Sequence, residues 1–213
     1  WNHTVRRFDA TGKQIASANR ARRHLDDVSM WGPRGVAVGS DGRVYVTDTG
    51  NKYVCVFDQN LTPLFSFGGP GEDRGMLNEP VGIAVDRFNR VWVADTGNSR
   101  VQLFDSAGRF QAEYYAAEVL PTERVGMEPH LTLLSDDRVA ITYSLFRQFW
   151  LIDAEHQAAQ LCEIAAPPFQ EPLGIVAGND GVLYVSDRKG GQVVRLTPPP
   201  PDRSRIPTSV PEQ

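Results

Sequence analysis

One stretch of this chain occurs twice. Residues 44–58 read VYVTDTGNKYVCVFD, and residues 91–105 read VWVADTGNSRVQLFD. The repetition is wider than this pair. Four segments align on a proline followed by an apolar run: PRGVAV at Pro33, PVGIAV at Pro80, PHLTLL at Pro129 and PLGIVA at Pro172. They recur at intervals of about 45 residues, within the range of repeat architectures. After each proline come a polar turn and a second run: RVYVTD, RVWVAD, RVAITY or VLYVSD. A short turn then leads to a third run: YVCVFD, RVQLFD, FWLID or VVRLT. The first three units add a weaker fourth: LFSFG, RFQAEY or AAQLCEI. A unit that recurs in this way buries its faces against copies of itself.

The runs are short, rich in Val, Ile, Tyr, Phe and Trp, and broken by Gly, Asp and Asn, which predicts strands rather than helices. Four strands per unit is the spacing of propeller blades. Val36-Ala37-Val38 and Val44-Tyr45-Val46 are apolar at every position, which predicts burial on both faces. Gly35, Gly82 and Gly174 recur on the first strand of their units, where backbones of neighbouring blades converge; Leu131 takes that place in the third unit. Asp48, Asp95 and Asp187 end the second strand and are expected to accept N–H groups of the following turn. Gly50-Asn51 and Gly97-Asn98 are expected to supply its left-handed residues.

Composition narrows the rest. With 213 residues, 41% of them hydrophobic, the chain can bury a sizeable core. A net charge of −4 argues against a nucleic-acid backbone as partner. No run approaches the roughly 18 apolar residues of a membrane span, and no signal-peptide pattern opens the chain. Cys55 and Cys162 sit in apolar runs and read as two buried thiols.

Proline, Gly-Ile-Ala-Val, then Val-Tyr-Val-x-Asp-Thr-Gly-Asn, then Arg-Val-x-x-Phe-Asp resembles the NHL repeat, and Asn2-His3 matches the pair that names it. The resemblance is strong in the units at Pro33 and Pro80 and fair at Pro172. It is poor at Pro129, where Tyr143-Ser144-Leu145-Phe146 replaces Asp-Thr-Gly-Asn. It implies a six-bladed β-propeller that serves mostly as a binding scaffold, a minority of relatives being lyases or lactone hydrolases. The expected fold is all-β: four-stranded antiparallel blades in an incomplete arc of about four from a six-bladed ring, the alternative being a compact four- to five-bladed ring closed by pairing the termini. Residues 1–197 would hold a half blade (1–30) and blades starting near 31, 78, 127 and 170. A Pro-rich disordered tail (198–213) would follow. The half blade aligns with third and fourth strands, so upstream blades of the same polypeptide are expected before Trp1. The opening Trp-Asn-His turn is similar to extracytoplasmic propellers of some bacterial membrane glycosyltransferases.

In such meanders the strand-two turns and the inter-blade links emerge at one end, where binding loops gather. The ligand-face candidates are Arg34, Glu79, Glu128, His130, Phe146, Arg147, Glu171 and Arg188, with a protein or glycan as partner. The link ANRARRHLDDVSMW reads as a solvated loop with its own counter-charges, and GGPGEDRG as a flexible inter-blade loop. Glu79, Glu128 and Glu171 each precede a blade proline, as strand punctuation or as oxygen ligands for a divalent cation in the channel. No other cofactor is expected. A Glu128–His130 pair is the alternative, acid–base or metal-dependent, reading of the same region.

Overall fold

The computed structural model describes residues 2–24, 26–115, 129–143, 148–154, 158–162 and 169–200. The chain divides into two compact units, Trp1–Pro129 and His130–Gln213.

In the first unit, β1 (Val5–Phe8) pairs with β2 (Gln14–Ala18), and β3 (Arg20–Arg23) with β4 (Asp26–Ser29). Two four-stranded sheets follow in chain order. They are β5 (Pro33–Val38), β6 (Val44–Asp48), β7 (Tyr53–Phe57) and β8 (Pro63–Gly68), then β9 (Pro80–Val85), β10 (Val91–Asp95), β11 (Arg100–Phe104) and β12 (Phe110–Tyr115). All pairings are antiparallel, so each sheet is a simple meander. Its tight corners are set locally. Asp9, Asp58 and Asp105 each accept the N–H groups two and four residues on, closing the turn between third and fourth strands. Among the described residues the only helix is a single 3₁₀ turn, Thr96–Asn98.

The two sheets bury each other's faces. Tyr45, Val54, Val56 and Phe67 of the first pack against Leu77, Ile83, Val91, Val93 and Phe104, with Phe67 and Phe104 ring centroids 4.8 Å apart. Each such side chain contributes about 1.5–3 kcal/mol on burial. Gly35 is required by closeness: a Cβ there would lie 2.4 Å from the Val81 carbonyl. Beside it the Thr47 hydroxyl accepts from Gly35 N (2.8 Å) and donates to Val81 O (2.8 Å), tying the first strands of neighbouring sheets.

Two expectations are corrected here. β6, β10 and β11 are buried at every position, but β5 is not: Val36 and Val38 are 59% and 62% exposed. Burial on both sides needs a sheet on both sides, and on that face β1–β2 covers β6 and β7 but not β5. Its Val5, Ala16 and Ala18 pack on Val44, Val46, Cys55 and Phe57. The link ANRARRHLDDVSMW is a hairpin, β3–β4, not an open loop. Ala21 and Met30 are buried in the core, and the Arg22–Asp27 pair (2.6 Å) supplies the counter-charge.

The second unit holds β13 (Leu131–Leu133), β14 (Val139–Tyr143), β15 (Gln148–Asp153) and β16 (Ala158–Cys162), followed by the three-stranded sheet β17 (Pro172–Ala177), β18 (Leu183–Asp187) and β19 (Gln192–Leu196). Leu134, Ala140, Phe149 and Leu151 pack with Phe169, Ile175, Leu183 and Val185. The threonine tie recurs: Thr142 Oγ1 accepts from His130 N (3.3 Å) and donates to Leu173 O (2.5 Å). Glu128, Phe146, Arg147 and the tail from residue 201 lie outside the described residues.

Candidate functional site

The second strand of a sheet ends beside the start of the first strand, because the two run antiparallel. Its last residue therefore faces the incoming link. In the first unit Asp48 Oδ1 accepts from Trp31 N (2.8 Å), and Asp95 Oδ1 from Asn78 N (2.6 Å). The other oxygen takes a turn amide: Asn51 Nδ2 at 2.6 Å from Asp48, Asn98 Nδ2 at 2.8 Å from Asp95. Each asparagine also donates to the link, to Ser29 O (3.0 Å) and Gly71 O (2.9 Å) respectively. In the second unit Asp187 accepts from Gln170 N (3.0 Å), Glu171 N (2.7 Å) and Gly190 N (3.2 Å). The sequence expectation placed these carboxylates on the following turn. Only Asp187 meets a backbone N–H of the turn; the principal partner in each case is the link some seventeen residues back in the chain.

Each buried carboxylate of the first unit also carries an arginine, drawn from different places. Arg100 on β11, 2% exposed, donates through Nε to Asp95 (2.8 Å) and through Nη1 to Glu113 (2.9 Å). Its Nη2 donates to the carbonyls of Asp73 (2.9 Å) and Met76 (3.0 Å). Gln102 completes the cage, donating to Met76 O (2.6 Å) and accepting from Gly75 N (2.9 Å). The GGPGEDRG link is thereby a pinned turn, not a flexible loop. At the position equivalent to Arg100 the other sheet has Tyr53, and the charge arrives from the link instead. Arg23 of β3 lies 4.3 Å from the Tyr53 ring centroid and reaches Asp48 at 3.2 Å.

Gly50 and Gly97 do not adopt left-handed φ, and neither do Asn51 and Asn98. The positive φ falls one residue later, at Lys52 (65°) and Ser99 (55°). The glycines are there for space: a Cβ on Gly50 would sit 2.1 Å from Trp31 O, and on Gly97 2.7 Å from Asn78 O.

The candidate residues distribute as follows. Arg34 is exposed on β5. Glu79 is exposed at φ 51°, just before β9. Glu171 pairs with Arg188 and, at 3.5 Å, with Lys189, so its charge is already matched. His130 is exposed before β13, its backbone bound to Thr142. Among the described residues no group of three His, Cys, Asp or Glu side chains is placed to hold a metal ion. Sequence reasoning passed over three contributors. His3 accepts from Gly32 N through Nδ1 (2.9 Å). Trp31, 62% exposed, stands where the other links have Asn78 and Gln170. Arg100 had one visible sign, a charge alternating with Gln102 inside an apolar strand.

The family model for the NHL repeat matches residues 30–57 and 77–104. Among solved structures, virginiamycin B lyase from Staphylococcus aureus superposes with a TM-score of 0.63 at 18% identity, over 94% of this chain and 65% of that one. A streptogramin B lyase gives 0.64 at 18% identity, over 94% and 64%. The WD40 β-propeller domain of Doa1 gives 0.62 at 14% identity, over 92% and 57%. The chain thus spans less than two-thirds of these proteins' lengths. Such identities establish a shared fold. No curated protein matches the chain in sequence.

Proposed function

Given that the chain is an NHL-repeat β-propeller protein, we propose that it is a non-catalytic binding scaffold. Its ligand, a protein or a glycan, is met by the edge where links and strand-two turns gather. The observation that carries this reading is the aspartate clamp. Asp48, Asp95 and Asp187 fix link backbones that would otherwise be mobile, so the side chains on them are presented from a preorganised frame. On the first unit that edge offers Trp31, an aromatic surface of the kind that anchors interfaces, with Arg34 and Glu79. An extracytoplasmic place in a larger bacterial protein is part of this reading and rests on the resemblance of the opening turn. The test is a glycan and protein array probed with the labelled chain. Trp31→Ala and Arg34→Ala are expected to lower binding by about tenfold or more with unchanged melting temperature. Binding that neither variant alters contradicts the assignment of this edge.

A second reading has its own support. The fold is shared with virginiamycin B lyase, a histidine-to-alanine form of which is described as catalytically inactive, with quinupristin. In this chain Glu128 and His130 would form a metal-dependent lyase or lactone-hydrolase site. It predicts turnover of a cyclic ester in the presence of a divalent ion, lost in His130→Ala.

A further inference from the structure

The turns between first and second strands share one design, and one of them departs from it. They read GSDGR (39–43), DRFNR (86–90), LSDDR (134–138) and GNDGV (178–182). In each, the N–H of the first residue donates to the carbonyl of the fifth, and the fourth has positive φ: Gly42, Asn89, Asp137 and Gly181. In three of them the third residue is an aspartate that accepts the N–H of the fifth. Asp41 accepts from Arg43 (3.0 Å), Asp136 from Arg138 (3.3 Å) and Asp180 from Val182 (3.1 Å).

The turn between β9 and β10 takes its carboxylate from a different position. Asp86, its first residue, accepts from Phe88 N (2.9 Å) and Arg90 N (2.8 Å). Where the aspartate is third, the first place has no room for it: a Cβ on Gly39 or Gly178 would lie 2.7 Å from the carboxylate of Asp41 or Asp180. Moving the carboxylate to Asp86 vacates the tip, and the tip carries Phe88, 58% exposed. The sister turns close without an aromatic there, so closure does not explain it. Arg87 and Arg90 bring their guanidinium carbons to 4.7 and 5.1 Å from the ring centroid. Arg90 donates through Nε to Asp86 (2.6 Å), yet its side chain stays 31% exposed. Asn89 Oδ1 accepts from Ser40 N (2.8 Å) and Ser40 Oγ (3.0 Å), which fastens the tip to the corresponding turn of the neighbouring sheet. The charge changes as well. Two arginines against one carboxylate leave DRFNR with one positive charge, whereas GSDGR is neutral and LSDDR and GNDGV each carry one negative charge.

We propose that the Arg87–Phe88–Arg90 tip is a docking site for an acidic peptide segment of a partner protein. An apolar side chain of the segment packs on Phe88, and flanking carboxylates pair with the two guanidiniums. The braced turn presents the ring in one place, so little ordering is required on binding. In an antiparallel sheet this turn lies at the end away from Glu79 and the Thr96–Asn98 turn. It is therefore a second contact, separate from the linker edge and independent of what binds there.

The probes are short fluorescein-labelled peptides in which Asp and Glu flank a central Leu, Phe or Ala, titrated with the full chain by fluorescence anisotropy. The Leu and Phe forms are expected to bind about tenfold more tightly than the Ala form. Binding weakens as NaCl rises from about 50 to about 500 mM, because exposed charges are screened. Phe88→Asp and Arg87→Ser each install a residue that sister turns carry at that place, so the turn still closes. Each is expected to lower affinity by about tenfold or more, and Trp31→Ala to leave it unchanged. Failure of the Leu and Phe forms to bind overturns the proposal, as does binding that survives Phe88→Asp. Loss of binding in Trp31→Ala also overturns it and returns the peptide to the linker edge. A single-stranded oligonucleotide that binds more tightly than the peptides, and depends on Phe88, overturns it in favour of a nucleic acid.

Discussion

Arg100 and Asp95 form a buried ion pair 2.8 Å apart, and the same guanidinium holds the carbonyls of Asp73 and Met76. The pair therefore links the sheet to the linker edge. Replacing Arg100 with methionine leaves Asp95 charged and enclosed, at a cost of about 3–5 kcal/mol. Chemical denaturation measures the loss. Amide exchange of Gly71 and Gly75 is expected to rise in the same variant, since both belong to the link that Arg100 pins.

Gly50 separates two explanations of a turn that recurs within the chain. If space governs, Gly50→Ala is destabilising by about 1–3 kcal/mol, since its Cβ meets Trp31 O. Lys52→Gly at φ 65° removes left-handed strain of about 1–2 kcal/mol and adds about 0.5–1 kcal/mol of unfolded-chain entropy. It is expected to stabilise by about 0.5 kcal/mol. Melting curves of the two single variants decide the matter.

Acid is expected to unfold the chain through its turn and link carboxylates. Burial by itself pushes Asp187 up, but the N–H groups of Gln170, Glu171 and Gly190 and the Gln192 side chain outweigh it and hold the carboxyl below its ordinary 3.8. Asp105 is depressed in the same way, burial opposing and the bonds from Arg109 and Ala107 prevailing. A depressed native pKa gives stability that is complete above the unfolded value and is lost as pH falls through the native one. The melting temperature should hold between pH 7 and about 5 and fall progressively below about 4. In Asp187→Asn that acid-side decline is shallower.

Cys55 should behave as an inert core thiol. Burial, with the Asp48 charge behind it, pushes its pKa up to about 12. In a Cys162→Ser background it should resist a thiol reagent at pH 8 until denaturant is added, when one equivalent reacts. Prompt labelling of the native chain contradicts the packing described for β7.

The strands were legible because every repeat writes them with the same alternation of apolar runs and turn residues. Pro33, Pro80 and Pro172 each begin a first strand, and Pro129 falls two residues before one. What the sequence hid are relations across distance. Arg20–Ser29 is polar enough to read as a loop, and its hairpin follows from Ala21 and Met30 reaching the core. The exposure of Val36 and Val38 depends on which strands lie opposite, which local composition does not encode. Asp48 looked like a turn residue because its real partner, Trp31, is remote in the chain. Topology alone assigns Arg34 and Glu79 to one edge, whereas the exposure of Trp31 and the bonds fixing that edge required coordinates.

The strand-two aspartates hold the linker edge rigid, and amide hydrogen exchange at Trp31 and Asn78 reads that rigidity in the native chain and in Asp48→Ala and Asp95→Ala. Exchange is expected to be slow at both amides, with Trp31 released only by the first substitution and Asn78 only by the second. Exchange at both sites as fast as in an unstructured peptide, before any substitution, contradicts that rigidity.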